Sequence, residues 1–331
     1  MRIGQLGEFG LIERIRNILQ PQTGRIRVGI GDDAAVFSVR PGHETVLSTD
    51  ALVEGVHFDF NYTPLDALGW KALAVNLSDL AAMAADPVCA VVSMAFPDGW
   101  TVEDIEALCQ GLHACGETHG CPVAGGDTAR SPGAGFISLT VVGEAPEGKA
   151  VLRSGAGQDD LICVTGRLGR ARTGFEVLSA GSERDAYPES VRHFLRPEPR
   201  LDLAKQVVSK LSVTAMIDIS DGLAADLGHL CRAGGLGCRI DGSALPIHPE
   251  AVRWMTRTHQ DPEDFILGSG EEYELLFTVP RDREGRIAAL QAEACPLAVI
   301  GEMRPASEGQ KRRTPQGEKP LSVLGWDHFR E

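Results

Sequence analysis

The sequence predicts an α/β protein of two domains. Amphipathic helical segments alternate with short apolar strands along both halves of the 331 residues, a pattern typical of α/β folds. A chain of this length with 43% hydrophobic residues can bury a sizeable core, and its length favours two domains over one. The segment 143–157 has the Gly, Pro and charged composition of a connector. We therefore place the boundary near Ala150, giving domains 1–150 and 151–331.

The first half alternates helices with strands. Phe9, Ile12 and Ile15 recur at helical spacing in the first segment, whereas short apolar runs broken by glycine and proline indicate strands. Thr101 has the features of an N-cap, with Asp104 three residues later, and Gly120 is placed to end that helix. The predicted helices are 8–19, 65–85 and 101–119, and the predicted strands are 26–30, 34–39, 45–49, 88–96 and 136–142.

The second half repeats the alternation. We predict strands at 160–165, at 214–219 and near Tyr273 and Val299, and helices at 173–178, 199–211 and 223–232. The segment 305–320 has few apolar residues to bury, so it is predicted to be a mobile surface loop.

Charge and cysteine content exclude several classes of protein. The formal charge of −14 repels nucleic acid and anionic membrane surfaces, so neither is expected as a partner. The eight cysteines form no CxxC pair and are dilute for this length, which favours the reducing cytoplasm. Glu8 and Glu13 interrupt the amino-terminal apolar residues, so we expect neither a signal peptide nor a membrane span.

The chain carries aspartates beside glycine or small polar residues in five separate segments. Carboxylates gathered from distant segments repel one another unless hard cations hold them, and neighbouring glycines let a phosphate approach the backbone. This pattern predicts a magnesium-dependent nucleotide site. The first two segments are expected at strand ends. The five are Gly29–Val36, Ser48–Phe58, Asn76–Met83, Gly125–Thr128 and Asp218–Gly222.

Two familiar nucleotide motifs are nearly present. The run 143–149 satisfies GxxxxGK, but Ala150 replaces the hydroxyl that would hold magnesium, and no helix pattern follows. The run 29–34 satisfies GxGxxA, with Asp50 at the spacing of a ribose-binding acid, yet strand-like alternation follows where a helix is required. Neither a P-loop nor a dinucleotide-binding fold is therefore expected.

Single residues within the pattern also have structural explanations. Asp79 and Asp221 could each cap a following helix, because Asp is a common N-cap. Asp218 is different, since it places a charge at the end of an apolar strand and needs a partner there. His57 alone could be an ordinary core or surface histidine. A zinc site at 115–121 is disfavoured because the CxxC spacing is missing.

Together the segments resemble the thiamine-monophosphate kinase family, within the superfamily of aminoimidazole-ribonucleotide synthetase. The matching stretches include GIGDDAAV, STDALVEGVHF, KALAVNLSDLAAMAADP, GGDT, LRSGA, DISDGLAADLGHL, GEEYELLF and the terminal GWDHF. They cover most of the chain. Ala85 stands where the family usually has Gly, and Glu272 where it usually has Asp.

The resemblance implies a fold and an activity. The expected fold is a two-domain aminoimidazole-ribonucleotide synthetase-like one, with domain 1–150 binding ATP and magnesium and pairing in a homodimer, and domain 151–331 closing the active site. The expected activity transfers the γ-phosphoryl group of ATP to thiamine monophosphate, giving thiamine diphosphate and ADP, the last step of thiamine diphosphate biosynthesis. Several Mg²⁺ ions are expected as cofactors. The acceptor is a phosphate monoester with a second pKa of about 6, so it needs no general base.

The resemblance also implies site residues. Asp50, Asp127 and Asp221 are expected to be catalytic. Gly126, Asp127, Arg153 and Ser220 are expected to meet ATP, with Ser220 at a helix amino terminus that offers further donors. His57, Glu271 and Trp326 are expected to bind thiamine monophosphate. The expected magnesium ligands are Asp33, Ser48, Thr49, Asp50, Asp79, Asp127, Asp218 and Asp221, with Asp32 as a further candidate.

Two other functions remain open at this point. One is a different ATP-dependent phosphoryl transfer of the same superfamily, such as selenophosphate synthesis or ribonucleotide cyclisation, which the kinase-branch motifs disfavour. The other is a non-catalytic nucleotide-sensing dimer, against which the intact set of acids weighs.

Overall fold

A computed structural model describes residues 1–19, 24–181, 183–293, 295–321 and 325–326. Within this part the chain forms two compact units. The first comprises Met1–Leu80, Ala85–Ala150 and Leu195–Pro197, and the second comprises Ala81–Ala84, Val151–Phe194 and Glu198–Glu331. The chain thus enters the main body of the second unit at Val151.

The first unit is built on a four-stranded sheet of order β3-β6-β4-β5, in which β4 and β5 are parallel and the other neighbours antiparallel. A separate hairpin pairs β1 with β2. The strands are β1 (Ile26–Val28), β2 (Val36–Phe37), β3 (His43–Val53), β4 (Asp86–Pro97), β5 (Val123–Ser131) and β6 (Phe136–Pro146), and the helices are α1 (Ile3–Leu6), α2 (Glu8–Leu19), α3 (Leu65–Ala82) and α4 (Val102–His119).

Helix α4 has the ends that its sequence predicts. The Thr101 hydroxyl accepts a hydrogen bond from the Asp104 amide, and the Asp104 carboxylate accepts one from the Thr101 amide, which completes a capping box. Gly120 ends the helix in the left-handed conformation. Glycine also lets α4 approach α3, because a Cβ on Gly111 would lie 1.9 Å from the carbonyl oxygen of Asp66. The capping residues therefore set the ends of α4, and Gly111 allows its close packing against α3.

The two faces of the four-stranded sheet differ in exposure. Val46 and Leu52 of β3 and Val92 of β4 are buried on one face. The alternate residues are exposed on the other, with 66% of Leu47 and 38% of Phe136 accessible. Because side chains alternate along strands, one face carries the core and the other is open in this chain.

The second unit is built on a seven-stranded sheet of order β13-β12-β9-β11-β7-β10-β8. Its central strands are buried throughout, as expected for a sheet covered on both faces. The strands are β7 (Leu161–Thr165), β8 (Ala215–Asp218), β9 (Leu236–Asp241), β10 (Leu275–Val279), β11 (Leu297–Pro305), β12 (Gln310–Thr314) and β13 (Gly317–Pro320), and the helices are α5 (Arg170–Ser179), α6 (Pro188–Leu195), α7 (Leu201–Leu211), α8 (Leu223–Gly234), α9 (Pro249–Thr258), α10 (Pro262–Leu267) and α11 (Glu284–Ala292).

The predicted mobile loop at 305–320 is wrong. Strand β11 reaches Pro305, β12 pairs in parallel with β9, and β13 pairs with β12 as the outermost strand. Charged residues and proline are common on edge strands because they discourage pairing with other chains, so low apolar content does not exclude a strand there. The predicted connector is also too long, because β6 continues to Pro146.

Two expectations from composition can be compared with the described residues. All eight cysteines are buried as free thiols, so they serve as small core residues. The described part of the chain has no helix with both the length and the apolar content needed to cross a bilayer.

Candidate functional site

In the first unit, β3 and α3 bring three predicted site residues to the same side of the sheet. The Ser48 hydroxyl donates a 2.5 Å hydrogen bond to Oδ2 of Asp79 on α3. Asp50 lies two residues after Ser48 and therefore on the same face of β3. Strand β3 ends at Val53, so the segment Ser48–Phe58 includes a strand end as expected, although Ser48 and Asp50 lie within the strand. The three together offer two carboxylates and a hydroxyl.

The capping explanation for Asp79 is wrong. Helix α3 runs without interruption from Leu65 to Ala82, so Asp79 lies in its last turn rather than at the start of a second helix. A carboxylate near a helix carboxyl end is disfavoured by the helix dipole. The helix dipole therefore does not stabilise the Asp79 carboxylate, which is held in place by partners such as Ser48.

Thr49 and Asp127 belong to the opposite, exposed face. Asp127 pairs with Ser93, Ser93 pairs with Ser138, and Ser138 pairs with Ala51, the residue after Asp50. Paired residues on neighbouring strands share a face, whereas consecutive residues of one strand do not. Asp127 and Asp50 therefore face opposite sides of the sheet. Strands β3 and β5 are the two edges of the sheet. Three interstrand spacings separate these edges, or roughly 14 Å. The sheet of one chain thus keeps Asp127 away from Asp50.

The Asp32–Asp33 segment is the tip of the β1–β2 hairpin. A hairpin this short is marginal alone, but Glu144 holds its base. The buried Glu144 carboxylate accepts from Nη2 of Arg25 at 2.7 Å and from the amide of Arg40 at 2.8 Å, one arginine on each side of the hairpin. Burial alone would raise the Glu144 pKa, but these hydrogen bonds hold it below its ordinary value. The Glu144 carboxylate therefore stays ionised and holds Arg25 and Arg40 at the base of the hairpin.

His57 lies in the turn that follows β3. Its Nδ1 accepts a hydrogen bond from the Val53 amide at 3.1 Å. An imidazole nitrogen that accepts carries no proton, so a neutral His57 has its proton on Nε2. The turn thus fixes His57 as a hydrogen-bond donor through Nε2.

In the second unit, Asp218, Ser220 and Asp221 lie where β8 leads into α8. The amides of Ser220, Asp221 and Gly222 all donate to Oδ2 of Asp226, at 3.1, 3.2 and 3.1 Å. The three amides that precede α8 therefore already have an acceptor in Asp226, which lies in the first turn of that helix.

Asp226 was not predicted from the sequence. Burial, followed by the charges of Asp218 and Asp221, raises its pKa to about 8. A ligand atom of Asp221, one of Asp226 and a nitrogen of His229 all lie within 4.8 Å of one another. Burial and the charges of Arg232 and Arg153 lower the His229 pKa, which leaves the ring neutral. The available signal was an acid in the first turn of a helix that begins with DG.

The remaining predicted residues of the second unit surround the same segment. The Glu271 amide donates to the Ser220 carbonyl at 2.7 Å, and the Trp326 amide donates to the Asp221 carbonyl at 2.9 Å. The carbonyl of Leu152 accepts from Met216 of β8, which places Arg153 beside that edge strand. Of the GWDHF match, 327–329 lie outside the described residues. Main-chain bonds thus join Glu271, Trp326 and the Asp218–Gly222 segment.

The two segments that nearly match nucleotide-binding motifs form strands and turns of the fold. Strand β6 occupies the start of 143–149, and Lys149 then donates its amide to the Pro146 carbonyl in a turn, so no helix follows. The run 29–34 leads into β2 rather than a helix. Neither segment has the helix amino terminus that these motifs require.

The sequence matches family models over most of its length. Residues 31–145 match the N-terminal domain of AIR synthase related proteins, and residues 157–311 match their C-terminal domain. The protein named thiamine-monophosphate kinase of Salmonella typhimurium is 38% identical over 333 residues, covering 98% of each chain. The chain belongs to the thiamine-monophosphate kinase family.

Solved structures of the family share the fold. The thiamine-monophosphate kinase of Stenotrophomonas maltophilia has a TM-score of 0.80 and 34% identity, covering 90% of this chain and 94% of its own. A structure described as AaThiL complexed with AMPPCP and TMP has a TM-score of 0.78 and 33% identity, covering 99% of both chains. The predicted aminoimidazole-ribonucleotide synthetase-like fold is confirmed.

Proposed function

We propose that this protein transfers the γ-phosphoryl group of ATP to thiamine monophosphate, forming thiamine diphosphate and ADP. The observation that carries the proposal is the relative captured with AMPPCP and TMP, whose chain this one matches over 99% of both lengths. AMPPCP is an ATP analogue, so that relative holds the acceptor together with an analogue of the phosphoryl donor. The buried thiols suit a protein that works in the reducing cytoplasm.

The reaction needs charge neutralisation more than proton transfer. A phosphate monoester has a second pKa of about 6 and is mostly dianionic at neutral pH, so it attacks without a general base. The obstacle is repulsion between two anionic phosphates brought into line. Acidic residues can help only by holding cations between them.

The side chains fit Mg²⁺ as this cation. Mg²⁺ prefers hard oxygen ligands, and Asp218 is a buried carboxylate at the end of an apolar strand. When bound, the ions would neutralise the phosphate oxygens. We assign Asp33, Ser48, Thr49, Asp50, Asp79, Asp127, Asp218 and Asp221 as ligands, directly or through water, and Asp32 as a further candidate. Catalysis then depends most on Asp50, Asp127 and Asp221.

ATP would be bound by small residues and one arginine. Gly126 and Asp127 lie on edge strand β5, and both are exposed, so their backbone could meet a phosphate. Arg153 is exposed and offers a planar fork that matches phosphate oxygens. Ser220 would contribute its hydroxyl, since Asp226 already accepts from its amide.

Thiamine monophosphate combines a phosphate, a cationic thiazolium and a flat pyrimidine. His57 would donate from Nε2 to a phosphate oxygen, because Nδ1 accepts from Val53. Glu271 would face the cation, and Trp326, 58% exposed, would offer an indole surface. These roles agree with the chemistry of each side chain.

We also propose a homodimer formed through the exposed face of the four-stranded sheet. This face carries Leu47, Val91 and Phe136, which are 66%, 37% and 38% exposed, among Ala and Ser residues. Such an apolar face is typical of an interface. A second copy whose β5 edge lies over β3 would bring its Asp127 to the face that carries Thr49, the neighbour of Asp50 in sequence, across the gap that separates the two strands within one chain.

The first test is an assay with ATP, MgCl₂ and thiamine monophosphate, in which chromatography separates thiamine diphosphate. Thiamine and aminoimidazole ribonucleotide precursors serve as control acceptors. Magnesium-dependent formation of thiamine diphosphate is expected. Product from another acceptor alone would favour a different transfer of the superfamily, and ATP binding without any product would favour a nucleotide sensor. Neither alternative is favoured by the names of the relatives.

A further inference from the structure

Two residues of the passage between α10 and β10 have left-handed backbone conformations. The φ of Glu271 is 55° and that of Tyr273 is 49°. Residues other than glycine rarely adopt this conformation, and it persists where the surrounding structure holds it in place. The residue between them, Glu272, is only 1% exposed.

On one side, this passage lies against the Asp218–Gly222 segment. The Glu271 amide donates to Ser220 and the Tyr273 amide donates to the Ile219 carbonyl at 2.9 Å. A Cβ on Gly270 would lie 2.7 Å from the Ser220 carbonyl oxygen, so only glycine permits this approach. These bonds fix the backbone of Glu271 relative to Ser220.

On the other side, the Glu272 carboxylate caps α5. Its Oε1 accepts from the amides of Gly169 at 2.8 Å and Ala171 at 3.3 Å, and from the Ser269 hydroxyl at 2.6 Å. Gly169 is the N-cap residue and has no side chain with which to cap the helix. An acid 103 residues later in the sequence therefore performs this role.

The second carboxylate oxygen is not used in the same way. Oε2 of Glu272 has no hydrogen-bond partner within the described residues, and it lies 3.8 Å from Nε2 of His193. That nitrogen instead donates to the Glu272 carbonyl at 2.9 Å. A buried oxygen without a partner lowers stability, so a cap optimised for stability alone would not leave one. This suggests that Glu272 has a role besides capping.

We infer that Glu272 is a positioning residue, which holds the left-handed backbone of Glu271 and so directs the Glu271 carboxylate at the acceptor. The inference rests on the proposed function, in which Glu271 faces the thiazolium. Glu272 ties this backbone to the amino terminus of α5, while Ser220 ties it to the aspartate segment. Loss of the tie would leave Glu271 present but wrongly directed.

The kinetic test is run at pH 8, above the Glu272 pKa of about 7, and uses Glu272→Gln, which keeps an acceptor oxygen but removes the charge. We expect the acceptor KM to rise about fivefold or more while the KM for ATP stays within about twofold. The matched control is Glu250→Gln, because buried Glu250 similarly accepts from the amides of Glu189 and Ser190 at the start of α6. An equal rise in both KM values, or the same rise in the control, would overturn the inference.

A double-mutant cycle separates positioning from independent action. In a Glu271→Ala background, Glu272→Gln should change the acceptor KM little further, because the residue that it positions is gone. Full additivity would show that Glu272 acts on its own. If the Gln variant does not fold, Glu272→Asp keeps the charge on a shorter side chain, and a smaller rise confined to the acceptor KM is then expected.

Hydrogen exchange tests the inference without any turnover. The amides of Glu271 and Tyr273 should exchange at least about tenfold faster in the Gln variant, since opening exposes them. The same peptide should be unaffected in Glu250→Gln. Unchanged exchange would overturn the inference. If the parent protein does not phosphorylate thiamine monophosphate, the proposed function fails while this measurement still decides the role of Glu272.

Discussion

Ser48 of β3 and Asp79 of α3 are joined directly, by a hydroxyl that donates to the carboxylate at 2.5 Å. Two predicted magnesium ligands that are 31 residues apart in sequence thus meet across the helix-covered face of the sheet. Because the bond uses the Ser48 hydrogen, the lone pairs of the Ser48 oxygen can still face a cation.

We therefore expect Ser48→Ala to raise the Mg²⁺ concentration for half-maximal activity several-fold, and Asp79→Asn to raise it further. The alanine removes one ligand and the donor that holds Asp79, whereas the asparagine removes the charge. Thr45→Ala, an exposed hydroxyl on the same strand, is the control. Calorimetric titration with Mn²⁺ provides a reading independent of turnover. Parent-like binding in both variants would remove this pair from the metal site.

The opposite edges of the four-stranded sheet lead to a prediction about Asp50 and Asp127. We expect Asp50→Asn and Asp127→Asn each to reduce turnover at least about a hundredfold through loss of metal-mediated charge stabilisation. If each site takes Asp50 from one copy and Asp127 from the other, a mixture of the two variants contains some sites with both residues intact.

Mixing therefore tests where the site is formed. Random reassociation gives half heterodimers, each with one intact site, so about a quarter of the parent activity should return. If both residues came from the same chain, every site would carry one substitution and no activity would return. Light scattering before and after mixing checks that the variants form dimers, and a monomeric parent would contradict the proposed homodimer.

The sequence was most informative where local chemistry decides the structure. The capping box at Thr101 and the left-handed Gly120 were predicted because the residues that form each signal are adjacent. The motif residues were predicted for a related reason, since glycines and acids occur together in short runs. The outer strands β12 and β13 were missed because pairing with β9 stabilises them, and charged edge strands have no apolar alternation to show it.

Tertiary partners explain the parts of the site that were missed. Asp226 accepts from Ser220, Asp221 and Gly222, yet nothing distinguishes it locally from other acids in first turns of helices. Glu272 caps a helix that begins far earlier in the chain. The faces of Asp50 and Asp127 depend on strand register, which only the assembled sheet determines.

Asp226 should stabilise the fold through the hydrogen bonds that it accepts more than through its charge. Asp226→Ala leaves three amides without their acceptor and should lower the free energy of unfolding by about 2 kcal/mol or more. Asp226→Asn keeps an acceptor, and because the raised pKa of about 8 means that Asp226 is largely protonated at pH 7, it should cost much less.

Urea unfolding at pH 7 with EDTA measures these differences. Asp261→Ala is the control, because Asp261 caps α10 through one hydrogen bond to the Asp264 amide, and its loss should cost about 1 kcal/mol. Equal losses for the alanine and asparagine variants of Asp226 would show that the charge, rather than the hydrogen bonds, is what the fold requires.

Trp326 should affect acceptor binding and little else. Its side chain is 58% exposed, so Trp326→Ala should leave the free energy of unfolding within about 0.5 kcal/mol of the parent. The acceptor KM should rise several-fold with kcat nearly constant, the pattern of lost uniform binding. Phe9→Ala, another exposed aromatic residue, is the control. An unchanged acceptor KM would remove Trp326 from the acceptor site.

Glu272 should make stability depend on pH. Burial raises its pKa to about 7, whereas an unfolded glutamate has a pKa of about 4.3. Between these values the folded state holds a proton that the unfolded state has released, so the free energy of unfolding falls as pH rises, by up to about 1.4 kcal/mol per unit. Below this window the neutral carboxyl imposes no such loss.

Glu272→Gln removes the titrating group and should remove this slope. Arg170, His193 and Glu274 face Glu272 and remain in both proteins, so their own titration largely cancels in the comparison. Urea unfolding at pH 5, 6, 7 and 8 should therefore show the parent losing stability relative to the variant as pH rises. Parallel curves would mean that Glu272 is ionised throughout, with the α5 amides and Arg170 sufficient to hold its charge.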